Sequence, residues 1–179
     1  MSAILEQLHH DHRNMVRLLD LLDEHTHAIA AGTEDNFRLV AEIIKYFNHY
    51  PTSSHHPYED KIFNWACGER PELAEAVEDL RAEHVSQAKL GEEVATSLQG
   101  VLSGHLVPRQ KIVDTLSAFS AVQRGHINKE EGHLLKETEE LLREKQLDEI
   151  PIARHEVIDP VFGAEIDDEY SDLIDALQR

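Results

Sequence analysis

The sequence has only one cysteine, Cys67, among its 179 residues. One cysteine excludes an intramolecular disulfide framework and a cysteine-rich zinc or iron–sulfur site, and it fits a reducing compartment. Apolar runs are short, and none approaches the roughly 20 consecutive residues that a membrane span needs. No early stretch combines a basic start with an apolar run, so no secretory signal is predicted. Together these absences predict a cytoplasmic protein with no membrane partner.

Basic residues are also scarce. The chain has 17 lysines and arginines against 35 acidic residues, which gives a formal net charge of −18. This balance opposes binding to nucleic acid, because phosphate contacts require lysine and arginine. Aromatic residues make up 6% of the chain, whereas histidine is abundant with 13 residues.

Apolar residues recur with the 3.6-residue period of an amphipathic helix in four long segments. We predict helices over residues 2–31, 34–50 (capped by Thr33), 71–100 and 108–145. Because proline cannot continue a regular helix, Pro51 predicts a break or kink, followed by a helical segment from about Ser54 to Cys67 that Gly68 closes. The predicted fold is all-α, an up-down-up-down four-helix bundle over residues 1–147.

Residues 148–179 differ in composition from the rest of the chain. They carry the sequence Asp-Pro-Val-Phe-Gly at 159–163 and an acidic segment with one modest apolar stripe. We predict a short C-terminal helical extension, with a helix over about 165–178. It would pack on the bundle or contact a partner, such as a second copy in a homodimer.

One pattern occurs twice in the chain. His55 and Glu59 are four residues apart, as are His126 and Glu130, so each pair shares one face of a helix and can hold the same ion. Each pair is preceded at nearly the same distance by a lone histidine, His12 or His84. The repeat predicts four histidines and two glutamates at one level of the bundle.

This donor set predicts a pair of metal ions. Imidazole and carboxylate ligands suit iron, manganese or zinc. If both glutamates bridge two six-coordinate ions, together with an oxo or hydroxo group, two coordination positions stay open. His56 can close one of them, which leaves a single position for O2, NO or peroxide. Asp11, Asp60, Glu83 and Glu131 adjoin the ligands in sequence and are either hydrogen-bond acceptors for the imidazoles or solvated charges.

The residues His12, His55-x3-Glu59, Glu83-His84 and His126-x3-Glu130 resemble the hemerythrin-like family, also called HHE cation-binding domains. The resemblance covers about residues 1–145. It implies a non-haem di-iron centre in which His12, His55, His84 and His126 are terminal ligands and Glu59 and Glu130 are bridges. Oxygen carriers of the family have a second histidine four residues after the one on the third helix, where this chain has Ala88.

The sequence is compatible with three functions. Resemblance to the family implies a protein that binds or senses O2, NO or peroxide at a di-iron centre. The same centre implies, alternatively, an enzyme that turns over peroxide or NO, or an iron donor for the repair of iron centres. The third hypothesis is a zinc-bound or metal-free bundle that acts as a structural or interaction module.

Overall fold

A computed structural model of the protein describes residues 2–33, 36–152, 158–164 and 167–178. Helices are the only regular secondary structure in these ranges. The α-helices are α1 (Ala3–Ala31), α2 (Phe37–Tyr50), α3 (His56–Glu69), α4 (Ala74–Leu102), α5 (Arg109–Lys129), α6 (Leu135–Glu144) and α7 (Ser171–Leu177), with 3₁₀ turns at Pro71–Leu73 and Asp168–Tyr170.

Four helical rods form the bundle. The first is α1, the second joins α2 to α3, the third is α4, and the fourth joins α5 to α6. Helix α1 packs against α5, α2 packs against α4, and α4 packs against α5. The predicted all-α bundle is therefore confirmed. None of the described helices combines the length and apolar character that crossing a bilayer requires.

Of the two outcomes predicted at Pro51, a break or a kink, the structure excludes the break. The second rod continues through a π-helical turn at Pro51–His55, in which the His56 amide donates to the Pro51 carbonyl five residues earlier. A wider turn absorbs the ring and the missing amide of proline without ending the helix. The fourth rod has a matching π-helical turn at Glu130–Leu134. Both turns carry residues of the predicted metal site.

Two predicted helix ends also need correction. Helix α2 begins at Phe37, and its cap is Asn36, whose side chain accepts a hydrogen bond from the Leu39 amide. The Thr33 hydroxyl instead donates back to the Ala28 carbonyl of α1. Residues 34 and 35, where that helix was predicted to begin, lie outside the described ranges. Helix α3 continues through Gly68 to Glu69, because a glycine with a regular helical backbone does not stop a helix.

The core consists of two apolar clusters at opposite ends of the bundle. One contains Met15, Phe47 and Phe119, and the other contains Leu8, Phe63 and Leu134. Along α1, His12 lies between Leu8 of one cluster and Met15 of the other. The two clusters therefore enclose a polar layer at the level of the predicted ligands.

The C-terminal extension packs on the bundle beside α2. Leu173 of α7 is fully buried in the first apolar cluster, and its amide donates to the Glu42 carboxylate. The Tyr170 ring meets the Tyr46 ring edge to face. The described helix here is shorter than predicted, and residues 165 and 166 lie outside the described ranges. Contact with a second copy of the chain stays a prediction.

Close packing between α2 and α4 at Gly91 gives a stability prediction. A Cβ atom at Gly91 would overlap the Asn48 side chain, whereas one at Gly125 would meet nothing within 4 Å. We expect Gly91→Ala to lower the free energy of unfolding by about 1–3 kcal/mol, because overpacking displaces Asn48. The control, Gly125→Ala, should raise it by roughly 0.5–1 kcal/mol through helix propensity.

Chemical denaturation of the metal-free protein measures both effects. The double variant N48A/G91A should recover most of the loss, because the obstructing amide is gone. A stabilised G91A protein would contradict the packing explanation.

Candidate metal centre

The six predicted ligands meet inside the bundle, between the two apolar clusters. Each of the four rods supplies at least one of them, and the two π-helical turns contain His55 and Glu130. Glu59 and Glu130 are completely buried, and His12, His55 and His126 are at most 3% exposed. The His84 side chain is 11% exposed. Charged groups at this depth require strong compensating partners.

Two histidines form one half of the centre. The Nε2 atoms of His12 and His55 lie 3.0 Å apart. Both are 3.3 Å from Oε1 of Glu59. Oε2 of Glu130 is also 3.3 Å from Nε2 of His12. Two imidazoles and one oxygen from each glutamate therefore converge on one point.

The other half repeats this arrangement. The Nε2 atoms of His84 and His126 lie 3.1 Å apart. Oε1 of Glu130 is 3.1 Å from His126 and 3.7 Å from His84. Oε2 of Glu59 is 3.9 Å from Nε2 of His84. Each glutamate thus directs one oxygen to each half, which is how a carboxylate bridges two ions.

The structure places His56 in the second half. Its ring stacks on the His84 ring, with centroids 3.8 Å apart and planes 7° apart. Donor atoms of His56, Glu59, His84 and His126 lie within 4.8 Å of one another, as do those of His12, His55 and Glu59. Each of these two groups could hold a cation. The role of each residue as a ligand stays a prediction.

The buried carboxylates provide a test of whether a metal fits. All four carboxylate oxygens of Glu59 and Glu130 are buried, and none has a hydrogen-bond donor among the described residues. Buried polar atoms in proteins are almost always hydrogen-bonded. Cations placed between the histidine pairs would satisfy all four oxygens at once, so the donor set fits two metal ions.

Comparison with known proteins agrees with this geometry. A family model described as the hemerythrin HHE cation binding domain matches residues 3–138. The chain belongs to this family. Searches of curated proteins and of solved structures gave no match. Family membership and the two donor groups together support cation binding, without specifying the metal.

Three carboxylates orient the imidazoles of this hemerythrin domain from outside. Nδ1 of His55 is 3.1 Å from Asp11, Nδ1 of His12 is 2.7 Å from Glu131, and Nδ1 of His126 is 3.0 Å from Glu83. Since a carboxylate only accepts, each Nδ1–H donates, and each Nε2 is left to face the centre. Asp60, the fourth candidate, faces Arg81 instead.

Charge interactions inside the domain shift the pKa values of three of its histidines. Burial disfavours a charged imidazole, but the Glu59 carboxylate and the hydrogen bond to Asp11 outweigh it and raise the pKa of His55 from 6.5 to about 9. Burial is likewise outweighed at His12, where the neighbouring carboxylates of Glu130, Glu131 and Glu59 raise the pKa well above 6.5. At His56, burial and the neighbouring histidines lower the pKa well below 6.5.

Two features near the centre were not predicted from the sequence. Gln87, one turn after His84 on α4, is 3% exposed, and its amide atoms have no hydrogen-bond partner among the described residues. The second feature is the Tyr50 hydroxyl, which donates to Asp11. The sequence signal for Gln87 was a glutamine at a position on the apolar stripe of α4. The hydrogen bond from Tyr50 to Asp11 has no signal in the local sequence, because the two residues lie on different helices.

The pKa shifts predict how stability depends on pH without metal. Because folding raises the pKa of His55 from 6.5 to about 9, its stabilising contribution is complete below pH 6.5 and is lost as pH rises to about 9. We expect metal-free protein to lose about 3 kcal/mol of unfolding free energy over this window from His55 alone. Denaturant unfolding at a series of pH values measures the loss.

His55→Ala should remove much of this dependence. Zinc-loaded protein should lack it as well, since a metal keeps its imidazole ligands deprotonated. Metal-free protein whose stability is constant or rises from pH 6.5 to 9 would contradict the assignment.

Proposed function

We propose that this chain is a non-haem di-iron hemerythrin domain that binds or senses O2, NO or peroxide. The observation that carries the proposal is the facing pair of imidazole groups, joined by two carboxylates whose four buried oxygens lack hydrogen bonds among the described residues. Two iron ions at this position would supply reversible redox chemistry and an open coordination position. A mixed imidazole and carboxylate shell without thiolates is compatible with iron.

The charges around the centre support a pair of divalent ions. Two such ions bring four positive charges. Glu59 and Glu130 contribute two negative charges at the centre, and Asp11, Glu83 and Glu131 contribute three more through the histidines. Without cations, the two inner carboxylates would repel each other in a region closed to water, a costly arrangement. A permanently metal-free bundle is therefore the least favoured alternative.

The two halves differ in donor number, which supports a single binding position for a small ligand. The half formed by His84 and His126 also has the stacked ring of His56. The half formed by His12 and His55 has no third imidazole in the described donor groups. A diatomic molecule or peroxide would therefore bind beside His12 and His55.

The surrounding residues keep this position dry and fixed. Met15 and Leu8 lie one turn to either side of His12, and both are buried. Apolar walls exclude water and competing reactions, and the outer carboxylates fix the imidazole planes. The enclosure admits a small molecule more readily than a large organic substrate.

Metal content and an electronic spectrum test the proposal. Protein purified without added metal, or loaded anaerobically with Fe(II), should contain close to two irons per chain. On exposure to air it should gain an oxo-bridge charge-transfer band. Zinc or no metal, with a silent spectrum after anaerobic iron loading, would reject the di-iron proposal and favour a structural module.

The same sample separates binding from turnover. Reversible spectral change on adding and removing O2 or NO supports a carrier or sensor. Consumption of peroxide or NO faster than by an equal amount of free iron supports the enzyme alternative. Transfer of iron to an acceptor protein that lacks its iron centre supports a role in repair.

Variants of the predicted ligands test the assignment residue by residue. We expect His84→Ala or Glu130→Ala to reduce metal content well below two ions per chain, because each removes a donor that has no substitute at its position. His27→Ala on α1 is the matched control, since His27 is exposed. Elemental analysis of purified protein measures the loss. Full occupancy in both ligand variants would refute the assignment.

A further inference from the structure

The C-terminal extension is tied to α2 through one buried carboxylate. Asp159 is 8% exposed. Its Oδ1 accepts the backbone amides of Val161 and Phe162 at 2.8 and 2.9 Å, and its Oδ2 accepts the Tyr46 hydroxyl at 2.8 Å. One side chain thus shapes the turn of the extension and fixes it to the second rod.

A second set of contacts leads from Tyr46 to the metal centre. The Tyr50 ring lies one turn further along α2, with its centroid 5.4 Å from that of Tyr46. The Tyr50 hydroxyl donates to Oδ2 of Asp11 at 3.2 Å, and the same oxygen accepts from Nδ1 of His55 at 3.1 Å. Asp11 therefore connects a tyrosine of α2 to a predicted ligand.

Both tyrosines act as hydrogen-bond donors. Burial, together with the Asp159 carboxylate, raises the pKa of Tyr46 well above 10. Burial and the Asp11 carboxylate do the same at Tyr50. The phenols stay protonated at all ordinary pH values. They donate to the Asp159 and Asp11 carboxylates, so their role is to position these two groups.

Asp11 needs this restraint because it borders open space. A cavity of about 300 Å³ lies between α1, α2 and the extension, and its lining includes Asp11, Tyr50, Asp159 and Phe162. Gln7 holds the other oxygen of Asp11 at 2.8 Å. Without Tyr50, only Gln7 and His55 would hold the Asp11 carboxylate beside the cavity, so the His55 ring would be positioned less firmly.

We propose that the C-terminal extension is a positioning brace for His55, acting through Asp159, Tyr46, Tyr50 and Asp11. The inference rests on the proposed function, because it concerns a ligand of that centre. His12 and His126 are oriented by Glu131 and Glu83, which belong to the bundle itself. The brace therefore acts on one of the two ion positions and leaves the other unchanged.

Stepwise binding of Co(II) to the whole 179-residue chain tests this selectivity. We expect Tyr50→Phe to weaken one of the two Co(II) affinities by about tenfold. This is the lower end of the loss in metal affinity that follows when the hydrogen-bonded groups around a ligand are mutated. Tyr46→Phe should weaken the same position by a smaller factor. His55→Ala identifies that position, because it removes the ligand itself.

Tyr170→Phe is the matched control. Its ring packs on Tyr46, but its hydroxyl takes no part in the contacts that lead to His55. We expect both Co(II) affinities to stay within about twofold of wild type. Unchanged affinities in Tyr50→Phe, or equal weakening of both positions, would overturn the brace. If Tyr50→Phe fails to fold, Tyr46→Phe decides the question by the same criteria.

A second readout is independent of iron. In metal-free protein, the Nδ1–H proton of His55 should give a downfield NMR signal because it donates to Asp11. Tyr50→Phe should shift this signal and speed its exchange with water, whereas Tyr170→Phe should not. An unshifted signal in Tyr50→Phe would reject the brace. Failure of iron loading alone would reject the di-iron proposal and leave this result unaffected.

Discussion

The rest of the structure depends on two carboxylates, Glu59 and Glu130, that are completely buried without hydrogen-bond donors among the described residues. Two like charges in an apolar core repel each other, and each loses its hydration. In the metal-free protein, these carboxylates raise the pKa of the neighbouring His12 and His55, and the attraction offsets part of this cost. Two cations would compensate better, because every carboxylate oxygen would then have a direct partner. Metal binding and folding stability are therefore two consequences of one electrostatic arrangement.

The helical rods are adapted to this arrangement. Both π-helical turns contain predicted ligands that lie in the interior, at Pro51–His55 and Glu130–Leu134. A π-helical turn costs regular hydrogen-bond geometry, and such turns are frequent at functional sites. Here the wider turn precedes His56, which a regular helix would direct about 100° away from His55. His55 and His56 both reach the interior, with ring centroids 5.8 Å apart, and His56 gives the second half of the centre an additional donor.

The carboxylates that orient the histidines of the centre are held in place by different parts of the chain. Glu83 and Glu131 orient His126 and His12 from positions adjacent in sequence to other ligands, so these contacts form whenever the four rods assemble. His55 differs, because the hydrogen bond from Tyr50 to its acceptor Asp11 belongs to a set of contacts that begins in the C-terminal extension. A segment outside the residues matched by the family can thereby influence one ligand of the centre.

The sequence by itself determined the bundle and the level of the donors, because helical periodicity and the repeated His-x3-Glu spacing are local properties of the chain. Glycine and proline were less reliable guides: Gly68 continues its helix, and Pro51 produces a π-helical turn. Only the tertiary structure decided which oxygen of each glutamate faces which histidine pair, the stacking of His56 on His84, and the contacts from Asp159 to His55. These features join residues from different rods, and their geometry follows from packing between helices, which no spacing along one helix encodes.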